Sequence, residues 1–217
     1  MAKASLIHSA NCQIAGFIVT TIGWIFSMTC MGLAEWRIWY MESTSAPSPG
    51  LACVGMWKVC TYQSNNLQSR AIACHRYTYS DSYLPLNIRI TQHLLLAANL
   101  LALLGKVLTI MGLQRVCVAH LQKENTCNLF LASGALSIIA GVFIFIVVIW
   151  NYHAVMNEDG IHFPPSFYMP FRPHRQEIGS TVPVAVLAAI LILLSGLFTL
   201  SYQLLPRQPS VPEASEV

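Results

Sequence analysis

Charge is what this 217-residue sequence has least of: Asp, Glu, Lys and Arg make up 10% of it, against about 25% in an ordinary soluble domain. So few charges cannot cover the surface of a soluble fold, and composition therefore points to the membrane class. Single-sign charge runs are missing too. The net charge of +3 is spread along the chain, and no basic run marks a nucleic-acid surface. Neither of the two longer polar segments holds an Asn-x-Ser/Thr site. No carboxylate lies inside any of the long apolar runs, which argues against a proton or ion relay there. No small-residue cleavage site follows the first apolar run at the usual distance, so that run reads as a retained signal anchor. No motif supplies a nucleophile with its base, a metal set or a cofactor site, so no enzyme and no cofactor is expected.

What is present is apolar. Hydrophobic residues make up 55% of the chain, and four runs, 14–33, 93–113, 129–150 and 182–202, are each long enough to span a bilayer. A run of about 20 residues covers roughly 30 Å as a helix, the thickness of the hydrocarbon core. In lipid each run must be helical to satisfy its own backbone hydrogen bonds. Four such runs leave almost no amphipathic helix to bury them in a soluble core. The remainder divides into termini at 1–13 and 203–217 and loops at 34–92, 114–128 and 151–181. Lys106 is the one full charge inside a run and reads as a side chain snorkelling to the headgroups. Small residues crowd the third run (Ala132, Ser133, Gly134, Ala135, Ala140, Gly141) and permit close helix packing.

Orientation is ambiguous by charge, because the rule that places Lys and Arg inside weakens for long loops. Cysteines argue better. Cys53, Cys60 and Cys74 fall within 22 residues of the first loop. A loop of that size needs a staple to fold alone, and a disulfide needs the oxidising side. Both termini are then cytoplasmic and the two longer loops extracellular. Cys117 and Cys127 flank the short inner loop, and Cys117 is a candidate for palmitoylation.

Within the first loop, 35–41, 51–62 and 71–79 are rich in aromatic and β-branched residues and predict three short strands, with turn chemistry at 45–50 and 63–66. The expected fold is a membrane protein with a left-handed four-helix bundle and a small extracellular antiparallel sheet formed mainly by the first loop. Cys60 and Cys74 would lie near paired strand positions, and a bridge between them would close a loop worth about 3 kcal/mol. Zinc would want tighter ligand spacing. A catalytic thiol would want an oriented base, and the adjacent His75 points to the opposite face of a strand.

Those residues resemble the claudin family. Trp36, the Gly55-Met56-Trp57 stretch, Cys60 and Cys74 stand in that family's order. Gly23-Trp24, Trp36-Arg37, Leu84-Pro85, Trp150 and Glu177 to Gly179 are similar as well, so the resemblance runs from about Ile14 to Tyr202. The set is shared with peripheral-myelin-type and channel-auxiliary tetraspans. Departures are the extra Cys53, Met56 for Leu, Gln92 where an Arg is common, and 13 residues between the paired cysteines.

The resemblance implies a multi-pass plasma-membrane protein at tight junctions. Such proteins associate with themselves and other claudins, in cis and in trans, to mediate adhesion and control paracellular permeability. An auxiliary subunit of another membrane protein is the alternative. Charge preference would rest on Arg70, His75 and Arg76, which are expected to disfavour cations. In the second loop, Phe163, Phe167, Tyr168 and Phe171 are candidates for contact between cells; equally, they could pack on the sheet or sit at the membrane interface. The tail residues Ser215, Glu216 and Val217 fit capture by a PDZ scaffold through strand addition, although family tails commonly end Tyr-Val.

Overall fold

The structure, a computed structural model, describes residues 2–41, 50–65, 68–78, 81–118, 123–167 and 169–201. Four helices dominate: α1 (Ala2–Gly32), α2 (Leu86–Val118), α3 (Lys123–Met156) and α4 (Thr181–Ser201). All four are long and apolar enough to cross a membrane. The first three overrun their apolar runs. At 1.5 Å per residue, 34 residues make α3 about 50 Å long, so it extends well past a hydrocarbon core. The polar residues flanking each run simply continue the helix, which hydropathy alone does not register.

In the bundle α1 packs on α4, α4 on α3 and α3 on α2, with a lighter α1–α2 contact closing the ring. Small and hydroxyl residues make these seams. A Cβ on Gly134 or Gly196 would lie 3.1 Å or 3.0 Å from the other's carbonyl oxygen, so α3 and α4 touch backbone to backbone. Ser195 donates to the Gly16 carbonyl at 2.7 Å, and Ser133 donates to the Gly105 carbonyl at 2.7 Å. Such bonds suit helices that lack a hydrophobic drive to associate in lipid. Ile14, Ile18, Ile22 and Ile25 on α1, and Leu100, Leu103 and Leu104 on α2, face outward.

Lys106 does not snorkel. It is buried, and its Nζ sits 3.4 Å from the centroid of the Trp24 ring. The ring face takes the ammonium in place of a counter-ion.

Beside the bundle lies a five-stranded antiparallel sheet in the order β4-β3-β2-β1-β5. Its strands are β1 (Arg37–Tyr40), β2 (Leu51–Val54), β3 (Lys58–Asn65), β4 (Gln68–Arg76) and β5 (Arg175–Ile178). Three differences from the sequence expectation stand out. The run 51–62 is a hairpin, not one strand, because Gly55 and Lys58 close a two-residue turn through Gly55 N–H to the Lys58 carbonyl, 2.9 Å. Gln63 to Asn65 continue β3 instead of turning. The fifth strand comes from the segment between α3 and α4, where four residues carry no alternating pattern of their own.

Candidate contact surface and its anchoring

The stretch Gly55 to Cys60 fixes the sheet to the bundle. A Cβ at Gly55 would lie 2.7 Å from the Ala34 Cα and 2.7 Å from the Leu33 carbonyl, so only glycine lets the hairpin turn against the end of α1. At the tip, Met56 is buried in the bundle core with Trp36, Leu95 and Val147, and Trp57 packs beside them. The Met56 carbonyl accepts from Gln92 Nε2 at 2.6 Å, and its Sδ from Thr91 Oγ1 at 3.3 Å. Gln92 on α2 thus acts as a neutral clamp for the hairpin tip.

Trp36 makes the second anchor. It is fully buried, and its indole N–H donates to the Cys30 carbonyl at 3.0 Å. Next to it, the buried Arg37 donates from Nε to Asn151 Oδ1 at 2.8 Å, while Asn151 Nδ2 donates to the Trp36 carbonyl at 3.2 Å. Burial pushes the Arg37 guanidinium down to about 10, against the support of Asp159, so it stays charged at neutral pH. The third anchor is the entry to α4: Gly179 N–H donates to the Trp36 carbonyl at 3.0 Å and Thr181 N–H to the Glu35 carbonyl at 3.1 Å.

Cross-strand register sorts the remaining side chains by face, because directly opposed residues share a face and neighbours along a strand alternate. Arg37, Val54, Val59 and His75 form one row; Trp39 and Ala52 share that face. This face is covered. Trp39, Val59, Tyr77, Leu84, Ile88 and Ile161 form a buried cluster, with Tyr83, Phe163 and Phe167 packed against it. His75 stacks on Phe167 with ring centroids 4.2 Å apart, and Phe163 meets Trp39 edge-on at 5.6 Å. Burial raises the Tyr77 phenol strongly. Tyr83 is raised to about 12, by burial first and then by its hydrogen bond to Asp81.

The other face is more open. It carries Glu177, Ile38, Cys53, Cys60 and Cys74 as one row, with Arg175, Tyr40, Leu51 and Tyr62 beside it. Tyr40 donates to Glu177 at 3.0 Å, and Arg175 pairs with Glu177 at 2.6 Å. At the far end Lys58 and the exposed Arg76 stand directly opposite each other. Like charges so placed repel unless a negative partner lies near.

Cys60 and Cys74 are directly opposed on β3 and β4 and form a disulfide. Trp36, Gly55 and Trp57 all sit at the sheet–bundle junction. His75 and Arg76 point to opposite faces, and Arg70 lies opposite Gln63, beyond the bulge at Thr61/Tyr62. The three charges do not line one face. Phe163 and Phe167 cover the sheet, whereas Phe171 is 44% exposed and stacks on His162 at 3.9 Å. Cys117 falls in the last turn of α2. Tyr168, Ser215, Glu216 and Val217 lie outside the described residues. Arg37, Thr91, Gln92 and Asn151 were missed as a locking set. Polar residues next to span ends were their only signal in the sequence.

Comparison with known proteins agrees with this architecture. A family model described as PMP-22/EMP/MP20/Claudin tight junction matches residues 21–201. Claudin-6 of Homo sapiens is 28% identical over 191 residues, which cover 87% of this chain and 80% of the relative. Claudin-3 of Rattus norvegicus is 26% identical over the same shares of each chain. Claudin-4 of Homo sapiens is 24% identical over 87% of this chain and 84% of its own. The family match spans most of the sequence and includes the anchored sheet, the end of α1 and all of α2, α3 and α4, so this chain is a four-helix membrane protein belonging to the claudin family.

Proposed function

We propose that this protein is a tight-junction protein that mediates cell–cell adhesion and controls paracellular permeability by associating in cis and in trans with itself and with other claudins. The carrying observation is a sheet tied to the bundle by three anchors, with one more open face and with β4 and β5 as its edge strands among the described residues. A rigid platform loses little entropy when it meets a neighbour. The Cys60–Cys74 disulfide supports an extracellular sheet, with both termini cytoplasmic. Of the candidates Phe163, Phe167 and Phe171, Phe171 is the most exposed and would be the one to make contact across cells. Lys58 and Arg76 give the open face a cationic end, which fits a path that disfavours cations. Ser215, Glu216 and Val217 would engage a PDZ scaffold, and Cys117 would take a palmitoyl group. The reading assigns no enzymatic role.

Expression in cells that lack junctions tests this. The protein is expected to concentrate where cells touch. Uniform plasma-membrane staining would contradict the proposal and favour an auxiliary subunit of another membrane protein. Dilution potentials across transfected monolayers test the charge preference, and a cation-selective shift would refute it.

A further inference from the structure

Three cysteines lie in one line across three adjacent strands. Cys53 on β2 is the direct register partner of Cys60 on β3, and Cys60 that of Cys74 on β4. Opposed residues share a face, and the line runs along the hydrogen-bonding direction with strands about 4.8 Å apart. Cys60 is bonded to Cys74, and Cys53 is a free thiol packed against Cys60. Cys53 and Cys60 are buried at 5% and 3% exposure; Cys74 is exposed on the edge strand.

Thiol–disulfide exchange is a displacement in which a thiolate attacks one sulfur and expels the other. The row presents Cys53 on the side of Cys60 opposite to Cys74, which is the side from which such an attack proceeds. We propose that Cys53, Cys60 and Cys74 form a disulfide relay, in which Cys53 displaces Cys74 from Cys60 and uncovers a free Cys74 thiol as a modification site on the exposed edge of the sheet. The Cys53 thiolate sulfur forms a bond to Cys60 Sγ, the Cys60–Cys74 bond breaks, and Cys74 leaves as thiolate and takes up the proton that Cys53 lost. The exchange conserves electrons and needs no outside oxidant. An electrophile or a small disulfide would react at Cys74, because it alone of the three is open to solvent.

The resting state is Cys60–Cys74, and the protonation state of Cys53 keeps it there. Burial, with the Glu35 carboxylate nearby, pushes the Cys53 thiol up to about 11, so little thiolate exists at neutral pH. The other titratable groups coupled to it are Tyr62 on β3 and Tyr40 on β1. Exchange should accelerate about tenfold per pH unit as the thiolate fraction grows.

Full-length protein in detergent gives the test. It is incubated at pH 7.5, 8.5 and 9.5 with iodoacetamide, quenched in acid and digested with trypsin without reduction. Cleavage at Arg37, Lys58, Arg70 and Arg76 puts the three cysteines on separate peptides. The relay predicts a Cys53–Cys60 linked pair and alkylated Cys74, both rising with pH and both absent in Cys53→Ser. Equal Cys74 alkylation in wild type and Cys53→Ser would overturn it. So would failure to find the Cys53–Cys60 pair at pH 9.5. The Cys74→Ser variant gives an independent reading: the relay geometry predicts a Cys53–Cys60 disulfide there, and finding both as free thiols in folded protein would contradict it.

Discussion

Gly179→Ala should unseat the sheet. A Cβ at this position would overlap the Glu35 carbonyl oxygen outright and would lie 2.5 Å from its carbon and 3.0 Å from the Trp36 carbonyl carbon. All are backbone atoms, so no side chain can swing aside. The strand end must move, and the Gly179 N–H bond to Trp36 and the Thr181 N–H bond to Glu35 go with it. Two backbone bonds lost near the core cost about 1–1.5 kcal/mol each, and the overpacking adds about 1–3 kcal/mol. The expected loss is therefore about 3–6 kcal/mol. Gly32→Ala is the matched control, because a Cβ there meets nothing within 4 Å; its effect should stay within about 0.5 kcal/mol. Unfolding of detergent-solubilised protein by SDS, followed by far-UV circular dichroism, compares the two. A difference below about 1 kcal/mol would refute the anchoring argument, since that is the net worth of one hydrogen bond.

Four further outcomes are expected. Asn151→Leu strands the buried Arg37 guanidinium and should cost about 3 kcal/mol; combined with Arg37→Met in a double-mutant cycle it should show a coupling of about 1–3 kcal/mol, and strict additivity would contradict the pairing. Phe163→Ala, within the aromatic cluster, should lower stability by about 2–3 kcal/mol. Phe171→Ala should leave stability within about 0.5 kcal/mol and reduce enrichment at cell contacts; the reverse pattern would place the contact residue wrongly. Stability should be flat up to about pH 9 and fall as pH rises toward 12. Cys53, Tyr77 and Tyr83 are neutral when protonated and have folded pKa values above their unfolded ones. Their contribution is present below the unfolded values and lost through the folded ones. A Tyr77→Phe variant with an unchanged alkaline decline would show that this phenol is not responsible.

Much of the architecture was legible because lipid imposes simple rules. Runs of about twenty apolar residues with at most one charge have few other fates, and the four helices follow. The Cys60–Cys74 pairing was legible because two short β-rich runs put both residues near strand pairing. What was hidden depends on contacts remote in sequence. Gly55 looks like an interior residue of a strand until the end of α1 is laid against it. The β5 residues have no pattern of their own and become a strand only by pairing with β1. His75 and Arg76 look like one charge cluster in sequence, but strand alternation sends His75 to Phe167 and leaves Arg76 facing Lys58. Lys106 reads as a snorkelling residue because nothing local reveals that Trp24, on another helix, lies beneath its ammonium. Arg37 and Asn151 are 114 residues apart, and only the assembled fold joins them.

The central claim is self-association between cells, and a mosaic culture tests it most directly. Cells expressing the tagged protein are mixed with cells that lack it, and intensity is compared at contacts between two expressing cells and at contacts where one side is empty. The account predicts enrichment confined to the two-sided contacts, reduced by Phe171→Ala. Equal intensity at both kinds of contact would contradict it.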